Sequence, residues 1–418
     1  MADGRRHFQP AELERLRRRT VASLVAGVAL GSTGHIAAVT VATIVATHIS
    51  GGTTALSGAP AATVVLGAAA GASALSWLMV RRGRRVGLAA GYLVSVVGAI
   101  VATVAVVTMS LPMLLVGTVL IGFGNASNQL SRYVAADLAT PDRRASAISL
   151  VVWGATIGAV AGPNLAAPAG KVALALGLPE LAGPYLVPIV VVGAAALLSF
   201  ALLRPDPYEL ADSSARHDES GDRSVAVSLA SVLARPSVPV AIVALVAGQF
   251  VMVLIMTMTP LHMAAHGHDL TAVGVVISGH AFGMFGLSPV SGRLTDRFGS
   301  VPVILAGLAV VALASVLAAV APPDGGAVLF LALFLLGYGW NLGYVAGSAL
   351  LTHGLSLAER TRIQGLTDTL IWSSAAVASI GSGLVLAYAG YAILGLMGAG
   401  LVVVPMLLVT ARRSAVAG

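Results

Sequence analysis

The sequence has no cysteine and a single lysine, Lys171, and only 10% of its 418 residues are charged. The missing thiols exclude disulfides, thiolate metal sites and cysteine nucleophiles, while leaving the compartment open. The shortage of charge constrains more. A soluble domain carries about 25% charged residues because its surface faces water. A chain that is 57% hydrophobic with so few charges cannot cover a globular surface, so lipid must solvate much of it. The constellations of soluble catalysis are lacking too: there is no H-E-x-x-H, no phosphate loop and no G-x-S-x-G. No enzymatic activity, cofactor or metal centre is therefore expected. His262, His266 and His268 cluster between apolar runs and read as loop polarity rather than as metal ligands.

Long apolar runs are what the chain does have. A spanning helix needs about 20 apolar residues. Runs of that length fall near 20–49, 59–80, 86–109, 111–134, 145–167 and 183–203, and again near 237–261, 271–292, 300–321, 327–352, 362–388 and 391–411. The first run is too long for the core of a secretory signal. Residues 1–19 are thus expected to form a basic amphipathic arm, with Pro10 as helix opener, ahead of an uncleaved first span. Arg204 to Arg235, which contains Arg216-His217-Asp218-Glu219, is too polar to pack and reads as a linker. The expected architecture is an all-α membrane protein: an arm (1–19), a six-helix bundle (20–203), a linker (204–236), a second six-helix bundle (237–411) and a tail (412–418).

The net charge of +7 does not point to nucleic acid, because the positive residues sit in short clusters between spans. With the N-terminus inside, cytoplasmic segments hold Arg5 to Arg19, Arg81 to Arg85, Arg143–Arg144, the linker, Arg293 and Arg297, Arg360 and Arg362, and Arg412–Arg413. The external loops hold Lys171 alone. The positive-inside rule then puts both termini in the cytoplasm, in a cell membrane.

The two sets of spans repeat. Gly83, within the arginine cluster after the second span, and Gly299, after the eighth, are 216 residues apart. Gly122-Phe123-Gly124 and Gly337-Tyr338-Gly339 are offset by 215, and the charged ends of spans four and ten by 217. Three landmarks agreeing to one residue indicate a duplicated six-helix unit. In such folds the substrate site lies between the halves near the bilayer midplane, and the halves rock around it.

On these features the chain resembles the major facilitator superfamily. Gly292-Arg293-Leu294-Thr295-Asp296-Arg297-Phe298-Gly299 resembles its short cytoplasmic signature, G-x-L-x-D-R-x-G. Those glycines permit a tight turn close to neighbouring helices, and the carboxylate suits a helix N-terminus. By the twofold, Asp296 is expected near Arg143–Ser146. The first-half copy is degenerate, with Val80 at the aspartate position and Ser76 at the first glycine, so its latch is expected to be weakened or relocated. Span five carries Gly154, Gly158, Gly162 and Pro163, similar to the antiporter signature G-x-x-x-G-P of the superfamily's drug exporters. Glycines four apart make a flat helix face, and Pro163 bends the helix and frees a carbonyl. Ala166–Ala167 replace the usual glycine pair, and the exporters' arginine early in span four is missing, with Thr118 near its position. The resemblance implies a monomeric transporter that moves a small molecule through the bilayer, with protons as the partner ion.

Candidate site residues follow from polar groups inside spans. Asn125, Asn128, Gln129 and Arg132 fall at i, i+3, i+4 and i+7 and share one face of span four. An arginine at mid-span costs roughly 2.5–3.5 kcal/mol, so this face is expected to meet a watery cavity or other protein; snorkelling to the nearby span end, or pairing with Asp137, is the alternative for Arg132. Asp368 is the carboxylate deepest in a span, about 9 Å from the cytoplasmic end by helical rise, with Gln364 and Trp372 one turn to either side. Span ten adds Asn341 and Tyr344, and span seven adds Gln249 beside Met252 and Met256. His35 and His280 fall near mid-span. Intramembrane ionisable groups are functional candidates by default. Asp368, with His35 or His280, is expected to carry the coupling proton, and the amides, aromatics and Arg132 to contact substrate. The expected activity is export of a small, partly apolar drug or metabolite by proton exchange. The alternatives are a proton-coupled uptake symporter for a metabolite, including an organic anion held by Arg132, and more remotely a membrane-bound sensor or enzyme.

Overall fold

Local chemistry sets where the helices begin. Ser110 accepts the Met113 amide ahead of a proline in the first turn, which opens one helix, and a Ser356–Glu359 capping box opens another. Gly83 and Gly299 turn the chain with φ of +89° and +86°, a region that favours glycine. The duplication read from sequence is therefore present in the backbone. At Gly83 a Cβ would lie 2.4 Å from the Asp206 carboxylate, which caps the following helix through the amides of Arg84 and Arg85, 3.1 Å each.

The computed structural model describes residues 9–51, 59–215, 229–268, 270–322 and 326–412, with no strand among them. The first half comprises α1 (Pro10–Ile49), α2 (Ala59–Arg82), α3 (Arg84–Val107), α4 (Leu111–Leu138), α5 (Arg144–Ala175) and α6 (Gly183–Leu202). The second comprises α7 (Ser237–Met256), α8 in two pieces (Leu270–Phe285 and Ser288–Phe298), α9 (Ser300–Val320), α10 (Gly326–Leu351), α11 (Leu357–Ala389) and α12 (Tyr391–Ala411). Eleven of these are long and apolar enough to cross a membrane. The remaining expected span is α8. It breaks at Gly286–Leu287, where Pro289 opens the second piece without an amide to continue the hydrogen-bond ladder. Val190, Leu197, Ile380 and Val404 are exposed on the outer surface, as hydrocarbon solvent requires.

Three expectations are corrected. Residues 10–19 are the first turns of α1 rather than a separate arm, extended by an exposed Arg18–Glu14 pair at 2.8 Å. The linker's first part does pack: a short helix, Pro207–Ala215, buries Leu210 and Ala211, apolar residues in an otherwise polar segment, against Leu13, Leu16, Leu138 and Leu357. Residues 1–8, Arg216 to Glu219 and Arg413 lie outside the described residues. Span five, expected to end near 167, continues to Ala175 with Pro163 and Pro168 inside it, and the Asn164 side chain donates to the Val160 carbonyl at 2.7 Å.

Between the halves, α2 packs on α11 and α5 on the second piece of α8. A Cβ on Gly292 would lie 2.3 Å from Ser149 Oγ, and one on Gly365 would lie 2.4 Å from Ser76 Cβ. Each contact thus has one glycine and one serine, on opposite partners. The glycine that α2 lacks at Ser76 is supplied by α11 at Gly365, so close approach survives the degenerate first-half signature.

Gly158 and Gly162 press α5 against α1. An added Cβ at Gly158 would lie 2.5 Å from Ser32 Cβ and 2.6 Å from the Thr33 nitrogen. Gly158→Val is therefore expected to push the two helices apart and cost about 1–3 kcal/mol. Thermal unfolding of the purified protein checks this against Gly381→Ala, where a Cβ meets nothing within 4 Å and no loss is expected.

Candidate functional site

The pseudo-twofold relates α4 to α10, and both lie beside a cavity between the halves. Residues near such an axis meet their own equivalents. Arg132 Nε donates to Ser348 Oγ at 3.1 Å across a sequence separation of 216, and the Tyr344 hydroxyl donates to Gln129 Oε1 across 215, the same offsets as the repeat.

The cavity has a volume of about 370 Å³. Its walls carry Ser32 and His35 from α1, Asn125, Asn128 and Gln129 from α4, Gln249 and Met256 from α7, Met284 and Phe285 from α8, and Trp372 from α11. Trp340 and Tyr344 of α10 stack with ring centroids 4.4 Å apart, and Phe285 meets Trp340 edge-on at 6.2 Å. Gln249 fixes the indole by accepting its Nε1–H at 2.9 Å. Asn128 accepts from the Tyr92 hydroxyl at 2.9 Å. The result is an apolar, aromatic slot with a few fixed polar groups, the usual makeup of a small-molecule site.

Arg132 and Asp368 form the cavity floor. Both are buried, and Arg132 Nη2 donates to Asp368 Oδ1 at 2.6 Å, an ion pair that joins the halves. A guanidinium has five N–H groups. Those of Arg132 are all engaged: Nε with Ser348, Nη1 with the carbonyl and side chain of Gln129 at 2.7 and 3.2 Å, and Nη2 with Asp368 and, at 2.8 Å, the Tyr133 hydroxyl. Among the described residues, Asp368 Oδ2 has no hydrogen-bond partner, and neither does His35 Nδ1. The floor therefore presents a spare acceptor and no spare arginine donor.

A second layer of contacts closes the arginine-rich end beneath the floor. Arg84 of α3, fully buried, donates to Asp137 of α4 at 2.5 Å and to Gln364 of α11 at 3.0 Å, while Arg360 reaches Asp137 at 3.8 Å. On the other side, Asp296 accepts the amides of Ala145 and Ser146, 3.1 and 3.0 Å, and the Ser146 hydroxyl, so its charge faces the N-terminus of α5. Val80, at the equivalent position of α2, is exposed, and α11 is capped in cis by Ser356 and Glu359 instead. Arg297 is exposed beside the Phe298 ring, and Gly299 supplies the turn described above. The hydrogen bonds described between the halves run from mid-bundle toward this end.

The structure separates the sequence candidates. Asn125, Asn128, Gln129, Arg132, Gln249, Tyr344, Asp368, Trp372 and His35 line the cavity. Asn341 does not. It is buried among Ser288, Ser291 and the Met284 carbonyl, because one residue of helix turns it away from the face shared by Trp340 and Tyr344. His280 is also outside the cavity: its Nδ1 pairs with the Leu333 carbonyl at 2.8 Å, which makes it a link between α8 and α10. Gln364 lies one turn below Asp368, on the correct face but beyond the floor. Asp137, the alternative partner for Arg132, belongs to Arg84. Asp368 sits eleven residues into α11, about 16 Å by helical rise, because α11 begins at Leu357 rather than near 362. Thr118 is buried and bonds Thr63 at 2.7 Å.

Two related six-helix bundles around a small-molecule cavity define a polytopic membrane transporter. The family model of the Major Facilitator Superfamily matches residues 21–380, and the chain belongs to that family. It is 39% identical to the uncharacterized MFS-type transporter YdeG of Bacillus subtilis over 80% of this chain and 78% of that protein. It is 30% identical to the riboflavin transporter RfnT of Brucella anthropi, over 78% and 79% respectively. The crystal structure of the human organic anion transporter MFSD10 superposes with a TM-score of 0.72 at 16% identity, over 94% of this chain and 99% of that one, a likeness of fold alone.

Proposed function

We propose that this chain is a proton-coupled secondary transporter that exports a small, flat, partly apolar compound in exchange for protons. The observation that carries this reading is Asp368, with one oxygen in the ion pair that joins the halves and the other unpartnered at the cavity. With the arginine-rich end in the cytoplasm, the contacts beneath the floor close the inner side, and the cavity serves the outer side. A proton arriving at Asp368 Oδ2 removes the charge that holds Arg132. The floor then loosens, and the bundles, 20–203 and 237–411, rock to open inward. Release of the proton inside restores an acceptor for a substrate N–H, so proton and substrate take turns at one oxygen. His35, at the same cavity, is the second proton carrier.

The donor count at Arg132 favours such a substrate over an organic anion, because an anion would have to displace bonds already made. The Gly158–Gly162–Pro163 stripe against α1 supports the exporter branch. Uptake of a flat heteroaromatic metabolite is the second reading. The riboflavin transporter among the relatives favours that class of compound, since a flavin ring is planar, carries an N–H and suits a slot walled by Trp340 and Tyr344.

Proteoliposomes with an imposed pH gradient separate the readings. A panel of planar N–H-bearing compounds, riboflavin included, is followed together with internal pH. Opposed movement of compound and protons supports export, parallel movement selects uptake, and flux indifferent to the gradient refutes proton coupling.

A further inference from the structure

The arginine cluster after α2 divides in the folded chain, and only part of it belongs to the gate. Arg84 turns inward to Asp137. Arg85 instead places its guanidinium 5.1 Å from the Phe200 ring centroid, and Arg204, beyond the end of α6, places its own 5.4 Å from the same ring. Phe200 is 49% exposed, and Leu197, one turn earlier on α6, is 71% exposed, so this face is turned to hydrocarbon. Two cations share one ring face or edge at the level where headgroups begin.

Neither guanidinium has a carboxylate partner among the described residues. The adjacent acid, Asp206, is committed to the amides of Arg84, Arg85 and Tyr208. Arg85 Nε is buried and finds no acceptor among the described residues. Setting orientation needs positive charge but no particular placement on an aromatic ring. The fold does not demand an arginine at position 85 either, since the equivalent position in the second half is Val301.

We infer that Arg85 and Arg204, held around Phe200, bind the phosphate of an anionic phospholipid. The two guanidiniums supply planar donors to the phosphate oxygens, and the exposed flank of α6 at Leu197 and Phe200 receives the acyl chains. The apolar flank is what selects a lipid over free phosphate, because a soluble ion gains nothing from it. Occupancy ties the start of α3 to the end of α6, next to the Asp206 cap.

The test measures binding of phosphatidylglycerol to the delipidated protein by native mass spectrometry, and its effect on thermal unfolding, with phosphatidylcholine for comparison. Wild type is expected to retain the anionic lipid and be stabilised by it, with the effect falling at high salt. Arg85→Gln with Arg204→Gln is expected to weaken binding roughly thirtyfold, and Arg204→Gln alone, at an exposed site past the helix end, about fivefold. Arg81→Gln with Arg82→Gln removes the same charge nearby and should leave binding within about twofold of wild type. Equal loss in both double variants would mean diffuse attraction and overturn the site. Equal stabilisation by phosphatidylcholine, or full protection by inorganic phosphate alone, would overturn it as well.

Discussion

Asp368→Asn is expected to abolish proton-driven transport while leaving substrate exchange without a gradient in place. Asparagine keeps the shape of the side chain but removes both the titration and the charge that holds Arg132. In the closed arrangement Arg132 is 1% exposed, so an unpaired cation there is costly. When the halves separate, water reaches it. The substitution therefore weighs on the balance between conformations more than on the fold. Loss of about 3 kcal/mol from the closed state shifts that balance roughly a hundredfold toward opening of the arginine-rich end. Paired assays in proteoliposomes, gradient-driven uptake and counterflow, check this. Equal loss in both assays would make Asp368 a structural residue only.

The second large effect is expected at Arg84. Its guanidinium is fully buried, with Asp137 at 2.5 Å. Arg84→Met leaves the buried Asp137 carboxylate with Arg360 at 3.8 Å and the more distant Arg144 as a weaker offset. Removing one member of a buried pair costs about 3–5 kcal/mol, whereas replacing both with apolar residues is often neutral. Arg84→Met is accordingly expected to lower thermal stability sharply, and Arg84→Met with Asp137→Leu to recover most of it. If the double variant were no better than the single one, the Arg84–Gln364 contact would be the more important of the two.

Much of the fold was legible because it rests on one-dimensional signals: apolar length and the offset near 216. The same offset held a further signal. Residues near the twofold axis meet their equivalents, so Arg132 with Ser348 and Gln129 with Tyr344 could have been paired from sequence. Other features were not legible. Nothing in one dimension distinguishes Trp340 from Asn341, which differ by about 100° around a helix, and polarity favoured the residue that turned out to face α8. Gln364 lay on the correct face, but its depth relative to the floor depends on how the halves close. Arg84 looked like part of a surface cluster because a run of arginines gives no sign of which one is buried. The break in α8 was marked by Gly286 and Pro289, yet the surrounding apolar run obscured it.

The central claim is that the charge on Asp368 holds the arginine-rich end closed. The absence of cysteine lets spin labels be placed on Thr140→Cys and His353→Cys, at the ends of α4 and α10, without removing any native thiol. Distances between the two labels are then measured by pulsed electron paramagnetic resonance across a pH series. In the otherwise wild-type chain the population is expected to move to longer distances as pH falls, and in Asp368→Asn to be long at every pH. An unchanged pH response in the Asp368→Asn chain would contradict the claim.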